Sequence, residues 1–357
     1  IDSGWTDDDF VAMVAAIDQS VAGVDGSGFR ITPAAWAPRL SGDRAPASVF
    51  AKDETGNVGG SHKARHLMGL LLHLAVDAGA SDTRLAISSC GNAAWGPATV
   101  ARAARRPIDV FIPTWADPEV VERLTGLDAT IHVCERRDGE LGDPCMHRFQ
   151  EAVGDGALAF GVQATENVLT LDGGRTIGWE LADQLRTAGG VEHLVIQVGG
   201  GALLTSCGIG LLEARALGAL DAVPRVWATQ AEGCAPFDRA WRGMSDEGSA
   251  ADRLADALAR QTELMTPWDD PHSAATGILD DITYDWLGIA RVLLQTDGGS
   301  VVSTEPDIAE ANRRVVGAGY DADHTGTAGY AGLLAAVRSG VIAPASSAAV
   351  LITGVRR

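Results

Sequence analysis

Residues 193–203, His193-Leu194-Val195-Ile196-Gln197-Val198-Gly199-Gly200-Gly201-Ala202-Leu203, join an apolar run directly to three glycines. The run at 193–198 is short and rich in Val and Ile, which predicts a buried strand. The segment that follows the glycines, Ala202–Ala216, has the length and composition of a helix. A strand that passes through a glycine turn into a helix is the repeating unit of parallel α/β sheets, so this stretch predicts an α/β fold.

The same alternation of short β-branched runs and longer Ala- and Leu-rich segments extends along most of the chain in both directions. No unit of about 20 to 50 residues repeats, which argues against a solenoid or a propeller. The stretches 242–252 and 340–347 are predicted to be surface loops. Further strands are predicted at 48–52, 84–88, 108–112, 130–134, 158–160, 225–229 and 348–353, and further helices at 61–78, 93–106 and 176–188.

The chain has 357 residues, of which 46% are hydrophobic and 21% are charged, an ordinary balance for a globular protein. This length is enough for about two domains with sizeable cores. The formal net charge of -19 repels the phosphate backbone of nucleic acids and anionic lipid headgroups, and no cluster of cations interrupts it. Neither a nucleic acid nor a membrane surface is therefore an expected partner.

The five cysteines are odd in number and widely spaced, and none belongs to a C-x-x-C pair. This pattern indicates neither a disulfide framework nor a cysteine zinc site, and it favours a reducing, cytoplasmic location. The apolar stretch 68–76 is much shorter than the roughly 20 residues of a membrane span. The N-terminal region carries Asp7-Asp8-Asp9 in place of the basic region of a signal peptide, so no signal peptide is predicted.

Lysine is scarce, since Lys52 and Lys63 are the only two among 28 lysines and arginines. Lys63 lies in Gly59-Gly60-Ser61-His62-Lys63-Ala64-Arg65, in the first turn of a helix that Ser61 is predicted to cap. The positive end of the helix dipole disfavours a protonated amine at this place. The position is therefore typical of a nucleophilic lysine, with a solvated surface lysine as the alternative.

The three glycines at 199–201 allow backbone N–H groups to converge on an anion at the start of a helix, which predicts a phosphate site, with a tight structural turn as the alternative. A dinucleotide-binding G-x-G-x-x-G pattern is incomplete because Leu204 occupies the third glycine position, although Glu232 is placed like an acid that binds a ribose. A P-loop is excluded because Ala51 and His62, rather than glycine, precede the two lysines. A dinucleotide-dependent oxidoreductase stays open as an alternative function.

Two further candidate sites stand where strands end. Ser88-Ser89-Cys90-Gly91-Asn92-Ala93-Ala94 is a loop of small residues before a helix. Such a loop can offer N–H groups to a carboxylate, and Asn92 can both donate and accept hydrogen bonds, while a plain helix cap is the alternative. Leu351-Ile352-Thr353-Gly354 places a hydroxyl at the end of the last strand. Ligands of α/β sheets bind at the edge where the strands end, so both positions are candidates for a binding site.

His62 and His66 lie four residues apart on the predicted helix, a spacing that allows two imidazoles to face one metal ion. The H-E-x-x-H pattern is absent and no third ligand can be named, so no metal site is predicted. Cys90 lacks a recognisable His and Asn arrangement, and it is interpreted as a small packing residue rather than a nucleophile.

Taken in order, these segments resemble the fold type II family of pyridoxal phosphate enzymes, which includes threonine synthase, threonine and serine dehydratases, cysteine synthase and the tryptophan synthase β chain. The resemblance extends from about Thr32-Pro33 to Gly354. It rests on motif matches in the family's order. The family's K-x-E motif is similar to Lys52-Asp53-Glu54, and its G-S-F-K motif is similar to Gly60-Ser61-His62-Lys63, with His62 in place of Phe as in tryptophan synthase β chains. The family's S-G-N loop is similar to Ser89-Cys90-Gly91-Asn92. Its G-x-x-T-I-x-x-E-I helix start is similar to residues 173–181.

The resemblance implies a fold with two open, twisted, mostly parallel sheets flanked by helices. It also implies pyridoxal 5′-phosphate as the cofactor, bound in the cleft between two domains. The large cofactor-binding domain would comprise 1–63 and 166–357, and a smaller domain, 64–165, would close over the substrate. Relatives of this kind suggest a homodimer.

The resemblance further implies a role for each candidate residue. Lys63 would form the Schiff base with the cofactor, with His62 beside it, Asn92 would contact the phenolic ring oxygen, and Thr353 would bond the pyridine nitrogen. The cofactor phosphate would bind Gly199, Gly200, Gly201, Ala202 and Leu203. The small amino-acid substrate would bind Ser89, Cys90, Gly91 and Ala93.

A neutral hydroxyl at the ring nitrogen leaves that nitrogen largely unprotonated, and in the family this favours elimination over racemisation or transamination. The implied cycle begins when an amino acid displaces Lys63 from the cofactor. The freed amine takes the α proton, and a β substituent, or alternatively a γ substituent, leaves. The product is then released as a keto acid with ammonia, or a second nucleophile adds to it.

Departures from the family pattern narrow the choice of substrate. Thr170 stands where threonine synthases usually carry the Arg of N-P-x-R, which binds a substrate phosphate, so phosphohomoserine is not expected. Cys90 and Ala93 replace hydroxyl residues, so the substrate carboxylate would rely more on backbone N–H groups. His324 lies in a segment that differs from the family pattern; a substrate contact is one hypothesis for it, and a loop histidine with a purely structural role is the favoured alternative.

The leading hypothesis from the sequence is a pyridoxal phosphate-dependent lyase of the ammonia-lyase or dehydratase type, or with threonine synthase-like chemistry. The alternative within the family is a β-replacement synthase, as in cysteine, cysteate or tryptophan synthesis.

Overall fold

Two mostly parallel sheets run through the chain, which the computed structural model describes over residues 4–42, 44–77, 83–89, 94–140 and 142–356. Helices flank and connect the strands, so the predicted fold class is confirmed. The strands of the described residues are β1 (Ala34–Trp36), β2 (Ser48–Asp53), β3 (Leu85–Ser88), β4 (Ile108–Pro113), β5 (Thr130–Cys134), β6 (Leu158–Ala159), β7 (His193–Gln197), β8 (Arg225–Ala231), β9 (Gly299–Ser303) and β10 (Ser347–Ile352). The helices are α1 (Asp7–Asp25), α2 (Lys63–Val76), α3 (Trp95–Ala103), α4 (Pro118–Gly126), α5 (Pro144–Gly154), α6 (Thr170–Ala188), α7 (Ala202–Ala216), α8 (Pro236–Gly243), α9 (Ala250–Ala259), α10 (Gln261–Leu264), α11 (Trp286–Gln295), α12 (Glu305–Ala318) and α13 (His324–Arg338).

The chain groups into two compact units by its internal contacts. The first unit contains Ile1–Arg30 and Asn57–Gly173, and the second contains Ile31–Gly56 and Gly174–Arg357. This grouping assigns the N-terminal helix to the first unit, because Val21 of α1 lies in the same apolar cluster as Val58 and Leu67. The boundaries of these units differ from those of the domains predicted from the sequence, which are 1–63 with 166–357 and 64–165. That the smaller domain closes over a substrate remains a prediction.

The second unit is built on a six-stranded sheet in the order β1-β2-β10-β7-β8-β9. All neighbouring strands are parallel except β1, which pairs antiparallel with β2 at one edge. The carboxyl ends of β2, β10, β7, β8 and β9 therefore lie along one edge of this sheet. That edge is where ligands of parallel α/β sheets bind.

Helices cover both faces of this sheet, as the residues of β10 show. Successive residues of a strand point to opposite faces. Ala349 and Leu351 belong to an apolar cluster that includes residues of α6 and α7, whereas Val350 and Ile352 belong to one that includes residues of α12 and α13. Because both faces are buried, the strand is apolar throughout rather than alternating, which made it easy to recognise in the sequence.

The first unit contains a four-stranded, fully parallel sheet in the order β5-β4-β3-β6. Its central strand β3 shows the same alternation between two cores. Leu85 and Ile87 pack in the cluster that contains Leu67 of α2, and Ala86 packs in the cluster that contains Phe149 of α5. The carboxyl end of β3 leads into residues 88–94, which the sequence singled out.

Some elements differ from the sequence-based expectation. Helix α6 begins at Thr170 rather than at 176, although a glycine pair at 173–174 follows. A Cβ at Gly173 would lie 1.9 Å from the carbonyl oxygen of Arg65, so glycine at this position allows close packing and does not end the helix. The expected surface loop 242–252 contains the end of α8 and the start of α9, where Ser249 and Asp252 form a capping box.

No helix within the described residues has the length and apolar character that a membrane crossing requires.

Candidate active site

The glycine loop at 199–201 leaves the carboxyl end of β7, inside the six-stranded sheet. Gly201 has φ 105°, a conformation that favours glycine, and it is the N-cap of α7 without any side chain that caps the helix. The N–H groups of Ala202 and Leu203, in the first turn, have no partner within the helix. Because a helix start also carries partial positive charge, this place is suited to an anion such as a phosphate.

The opposite side of the loop is packed against the segment before α11. A Cβ at Gly199 would lie 2.5 Å from Oδ2 of Asp280, and one at Gly201 would lie 2.8 Å from Cδ1 of Ile289. The carbonyl oxygen of Gly200 accepts a hydrogen bond of 2.8 Å from the N–H of Asp285. The glycines thus form a close-packed turn that holds the start of α7 in place, and the phosphate site remains a prediction that the uncapped N–H groups support.

Thr353 follows β10, which pairs with β7, so Thr353 and the glycine loop lie at the same edge of one sheet. The side chain is almost fully buried. Its Oγ accepts a hydrogen bond of 2.7 Å from Nε2 of Gln197, and its backbone N–H donates to the carbonyl oxygen of Gly326 at 3.2 Å. The predicted site residues of the second unit are therefore brought together at one sheet edge.

Lys52 is fully buried within the second unit and is surrounded by oxygen atoms. Its Nζ lies 2.6 Å from Oε2 of Glu180 and 4.0 Å from Oε1 of Glu54, and donates hydrogen bonds to the carbonyl oxygen of Thr32 at 3.0 Å and to Oε1 of Gln184 at 3.1 Å. Thr32 also donates to Glu54 through its hydroxyl. Lys52 is thus the centre of a buried ion cluster that joins β2 to α6, and its amine is occupied by these partners.

Lys63 is the first residue of α2, in the first unit, and its side chain is only partly buried. The residue at the N-cap is His62, which makes no side-chain capping bond. Oγ of Ser61 instead accepts a hydrogen bond of 3.4 Å from the N–H of Lys63, so the predicted serine cap lies one residue earlier than the N-cap itself. Within the described residues Lys63 has no carboxylate partner, in contrast to Lys52.

Two histidines on the same helix are kept neutral by burial. Burial, followed by the nearby His66, holds the pKa of His62 well below its ordinary value. Burial also lowers the pKa of His66 to about 4, although the carbonyl oxygen of Thr170 accepts a hydrogen bond of 2.9 Å from its Nδ1. Nδ1 of His62 and Nε2 of His66 have no hydrogen-bond partner in the described chain. The cationic form of either ring is therefore disfavoured.

Ser89 lies at the end of β3, where its side chain is buried and its N–H donates to the carbonyl oxygen of Phe111 at 3.1 Å. Cys90, Gly91, Asn92 and Ala93 lie outside the described residues. The roles that the sequence assigns to these four residues in binding the cofactor ring and the substrate carboxylate remain predictions.

Thr170 occupies the position where threonine synthases carry a phosphate-binding arginine, and its polar groups are used in hydrogen bonds within the fold. Its hydroxyl donates to the carbonyl oxygen of Gly161 at 3.0 Å, and its own carbonyl oxygen accepts from His66. The side chain is fully buried. Thr170 therefore offers no cation to a substrate phosphate.

Glu232, the residue considered above for binding a ribose, accepts a hydrogen bond at the start of α12. Its Oε1 accepts a hydrogen bond of 3.0 Å from the N–H of Glu305, the first residue of α12. A carboxylate at a helix N-terminus is a stabilising arrangement. This contact explains Glu232 without a dinucleotide.

Two features of the site could not be recognised in the sequence. Gln197 belongs to the apolar run of β7, and no local pattern relates it to Thr353. Glu180 lies inside a helix motif, and nothing nearby in the sequence relates it to Lys52. The only available signal was the presence of a polar residue in each otherwise apolar or helical motif.

The cysteines of the second unit show no reactive character. Burial raises the pKa of Cys207 to about 12 and that of Cys234 to about 12, so both stay protonated thiols. His324 is the first residue of α13, where Asp323 is the N-cap, and its contact with a substrate remains a hypothesis. Across the described residues no group of three or more His, Cys, Asp or Glu side chains is arranged to hold a metal ion.

Residues 27–354 match the family described as pyridoxal-phosphate dependent enzyme. A threonine synthase of Mycobacterium leprae is 28% identical over 327 residues, which cover 90% of this chain and 80% of the relative. A serine dehydratase-like protein of Mus musculus is 32% identical over 185 residues, 52% of this chain and 53% of the relative. The structure of threonine deaminase isoform 2 from Solanum lycopersicum superimposes with a TM-score of 0.71 at 17% identity, over 99% of this chain and 92% of that one.

Proposed function

The chain belongs to the pyridoxal-phosphate dependent enzymes of fold type II, and on this premise we propose that it is a lyase that eliminates a β substituent from a small α-amino acid. Pyridoxal 5′-phosphate is its cofactor. The proposed products are a keto acid and ammonia. A homodimer in the cytoplasm stays part of this proposal.

The residues present fit this cofactor. The start of α7 has uncapped N–H groups suited to the phosphate, so Gly199, Gly200, Gly201, Ala202 and Leu203 would hold it. The buried hydroxyl of Thr353 would bond the ring nitrogen, Lys63 would bind the cofactor covalently with His62 beside it, and Asn92 would contact the phenolic oxygen. When bound, the cofactor supplies the electrophilic carbon and the conjugated ring that withdraws electrons from the substrate.

The amine of Lys63 is proposed to move the proton in the reaction. Once free, this amine would take the α proton, because it lies in the first turn of α2 and no carboxylate of the described residues holds it as a cation. Ser89 and the following residues, Cys90, Gly91 and Ala93, would orient the substrate carboxylate. The two neutral histidines beside Lys63 add no further positive charge to its surroundings.

The contrast between the two lysines is the observation that supports Lys63 as the residue that binds the cofactor. Lys52 is fully buried and bonded to Glu180, Gln184 and Thr32, so it cannot serve as a free nucleophile. Lys63 stands at a helix start without a carboxylate partner in the described chain. In a protein with only two lysines, covalent attachment of the cofactor therefore falls to Lys63.

The substrate is proposed to lack a phosphate. One relative is named threonine synthase and another serine dehydratase-like, so both kinds of chemistry are represented among similar sequences. The buried hydroxyl of Thr170 bonds to Gly161 rather than facing an anion, which supports a small amino acid with a hydroxyl or another small leaving group. β-Replacement is the second candidate, supported by His62, which stands where tryptophan synthase β chains also carry histidine.

The test uses the scarcity of lysine. The protein is loaded with pyridoxal 5′-phosphate, reduced with borohydride, digested and mapped by mass spectrometry. We expect the pyridoxyl group on Lys63, with Lys52 unlabelled as the internal control, and we expect Lys63→Ala to lose the visible absorption band of the bound cofactor. A label on Lys52, or an unchanged band in Lys63→Ala, contradicts the proposal.

Product analysis separates the two candidate reactions. A panel of small amino acids with hydroxyl, amino or thiol leaving groups is incubated with the loaded protein. Keto acid and ammonia in equal amounts from the hydroxyl and thiol substrates, and two ammonia for each keto acid from an amino substrate, support elimination. Consumption of an added thiol or sulfite without keto acid would instead support β-replacement.

A further inference from the structure

We propose that Gln197 is a positioning residue that turns the hydroxyl of Thr353 toward the ring nitrogen of the cofactor and keeps that nitrogen unprotonated. The inference deepens the proposed function and rests on it in one respect, the placement of the ring nitrogen at Thr353. The remaining steps follow from hydrogen bonds within the second unit.

Gln197 is the last residue of β7 and is 4% exposed. Its Nε2 lies 2.7 Å from Oγ of Thr353 and 3.4 Å from the carbonyl oxygen of Leu351, both on or just after the neighbouring strand β10. A carbonyl oxygen can only accept a hydrogen bond, so the amide group that faces β10 must be the NH₂. Gln197 therefore donates to the hydroxyl of Thr353.

The other end of the amide lies against α13. Oε1 of Gln197 faces Gly329, where a Cβ would lie only 2.6 Å from this oxygen. Oε1 has no hydrogen-bond partner in the described chain. A turned amide would place Oε1 against the carbonyl oxygen of Leu351, which is repulsive, so the observed orientation is the favourable one. Glycine at 329 leaves the room that this orientation needs.

A hydroxyl has one hydrogen to donate. Because Oγ of Thr353 accepts from Gln197, this hydrogen is not used in that bond, and the hydroxyl donates to no other described residue. A pyridine nitrogen with a free lone pair can accept it. A protonated nitrogen would be a donor and would leave the hydroxyl hydrogen without an acceptor in a buried place, which costs free energy. The Gln197–Thr353 pair therefore selects the unprotonated ring.

The protonation state of the ring nitrogen bears on the reaction that follows. When bound, an unprotonated ring would withdraw electrons less strongly, which would favour loss of a leaving group over return of the α proton. Gln197 thus acts through Thr353 on the choice between elimination and racemisation, without touching the substrate itself.

The experiment measures the ring nitrogen directly. Protein loaded with ¹⁵N-labelled pyridoxal 5′-phosphate is titrated with acid, and the nitrogen resonance is followed in the parent, in Gln197→Met and in Gln197→Glu. Methionine removes the donor, and an ionised glutamate accepts the hydroxyl hydrogen and so turns the Thr353 oxygen toward the ring. We expect the nitrogen to protonate at higher pH in both variants, and the Kd of Gln197→Met for the cofactor to rise about threefold to tenfold.

Gln230 supplies a matched control. It is an equally buried glutamine on the neighbouring strand β8, but its amide bonds to Val198, Thr283 and the start of α8. Gln230→Met should lose stability through the same loss of buried hydrogen bonds and leave the nitrogen titration of the parent unchanged. An equal shift in Gln230→Met, or an unshifted titration in both Gln197 variants, overturns the inference.

Failure of the proposed function looks different in the same experiments. A parent protein that binds the cofactor but makes no keto acid refutes the lyase, while its nitrogen resonance still reports on Gln197. A parent that binds no pyridoxal 5′-phosphate refutes both at the first step. Under the inference, racemised substrate should increase relative to keto acid in Gln197→Glu and not in Gln230→Met.

Discussion

The two lysines of this chain have opposite environments, and the difference lies in their partners rather than in their local sequence. Lys52 and Lys63 occur within one short segment. The first is paired with carboxylates from the residue after β2 and from α6, and the second begins a helix with no carboxylate partner in the described chain. A buried ammonium is tolerated only where it is paired, so Lys52 is a structural residue.

Removal of the Lys52 ammonium should be strongly destabilising. Lys52→Met would remove the ammonium that lies 2.6 Å from the carboxylate of Glu180 and 4.0 Å from that of Glu54, while both carboxylates stay largely buried. Breaking one partner of a buried pair costs about 3 to 5 kcal/mol, and we expect a loss of this size in the free energy of unfolding, measured by urea denaturation.

The control for Lys52→Met is an exposed ion pair on α6, the helix that also carries Glu180. Arg186 contacts Asp183 at 2.6 Å, but both side chains are more than half exposed. Arg186→Met should change the free energy of unfolding by no more than about 0.5 kcal/mol. A comparable loss in both variants would show that the burial of the Lys52 cluster is not what matters.

His66 should make stability depend on pH. In the unfolded chain its imidazole binds a proton near pH 6.5, whereas the folded chain binds one only near pH 4. Between these values the unfolded state holds more protons, so the stability is complete above about pH 6.5 and falls as the pH falls toward about 4. The full shift corresponds to about 3 kcal/mol.

The measurement compares urea unfolding of the parent and of His66→Gln at about pH 7.5 and about pH 5. Glutamine can still donate to Thr170 but does not titrate. The parent should lose about 2 kcal/mol more than the variant between the two conditions. Equal losses in parent and His66→Gln would refute the prediction.

At the scale of elements, α6 and α7 approach each other through glycines. A Cβ at Gly178 of α6 would lie 2.3 Å from the carbonyl oxygen of Cys207, and one at Gly210 of α7 would lie 2.6 Å from the carbonyl oxygen of Arg175. These atoms belong to the backbone, so a larger residue can be accommodated only if one helix moves. The start of α7 is the proposed phosphate site, so this crossing also positions the site.

Gly178→Ala should therefore destabilise the protein although alanine is the better helix former. We expect a net loss of about 1 to 3 kcal/mol from overpacking, measured as the free energy of unfolding. The expected Kd for pyridoxal 5′-phosphate rises as well, because α7 and its first turn must shift.

The matched control is Gly317→Ala in α12, where a Cβ would meet no atom within 4 Å. There the higher helix propensity of alanine should act alone and stabilise by up to about 1 kcal/mol. If Gly178→Ala stabilises the protein to the same extent, the inference that α6 and α7 pack too closely to admit a Cβ at this position is contradicted.

The elements themselves could be predicted where one local pattern dominates. The buried strands β7 and β10 are apolar throughout, and α7 follows a glycine turn, so all three were recognised almost to the residue. The start of α6 was predicted too late, because glycine commonly ends helices and the packing of Gly173 against Arg65 cannot be read from neighbouring residues. The short edge strand β1 was not predicted, because a run of three residues is too short to show an alternation of apolar and polar side chains.

At the scale of the whole molecule, the family match extends over residues 27–354 and so includes segments of both compact units. The fold class, the family and its cofactor were all expected from motifs in one order along the chain. The reaction type is a finer question, because sequence relatives carry different names and so do solved structures with this fold. We propose that it depends on contacts such as the one between Gln197 and Thr353.

The sequence by itself determined the α/β fold, the cofactor family and Lys63 as the candidate nucleophile, because strand, glycine turn and helix start are formed by residues adjacent in the chain. Only the tertiary structure decided that Lys52 is held by Glu180, 128 residues away, and that Gln197 bonds to Thr353, 156 residues away. Such partners meet because β10 pairs with β7 and α6 packs on the same sheet. A side chain's charge and hydrogen bonds depend on these distant neighbours, which local patterns do not specify.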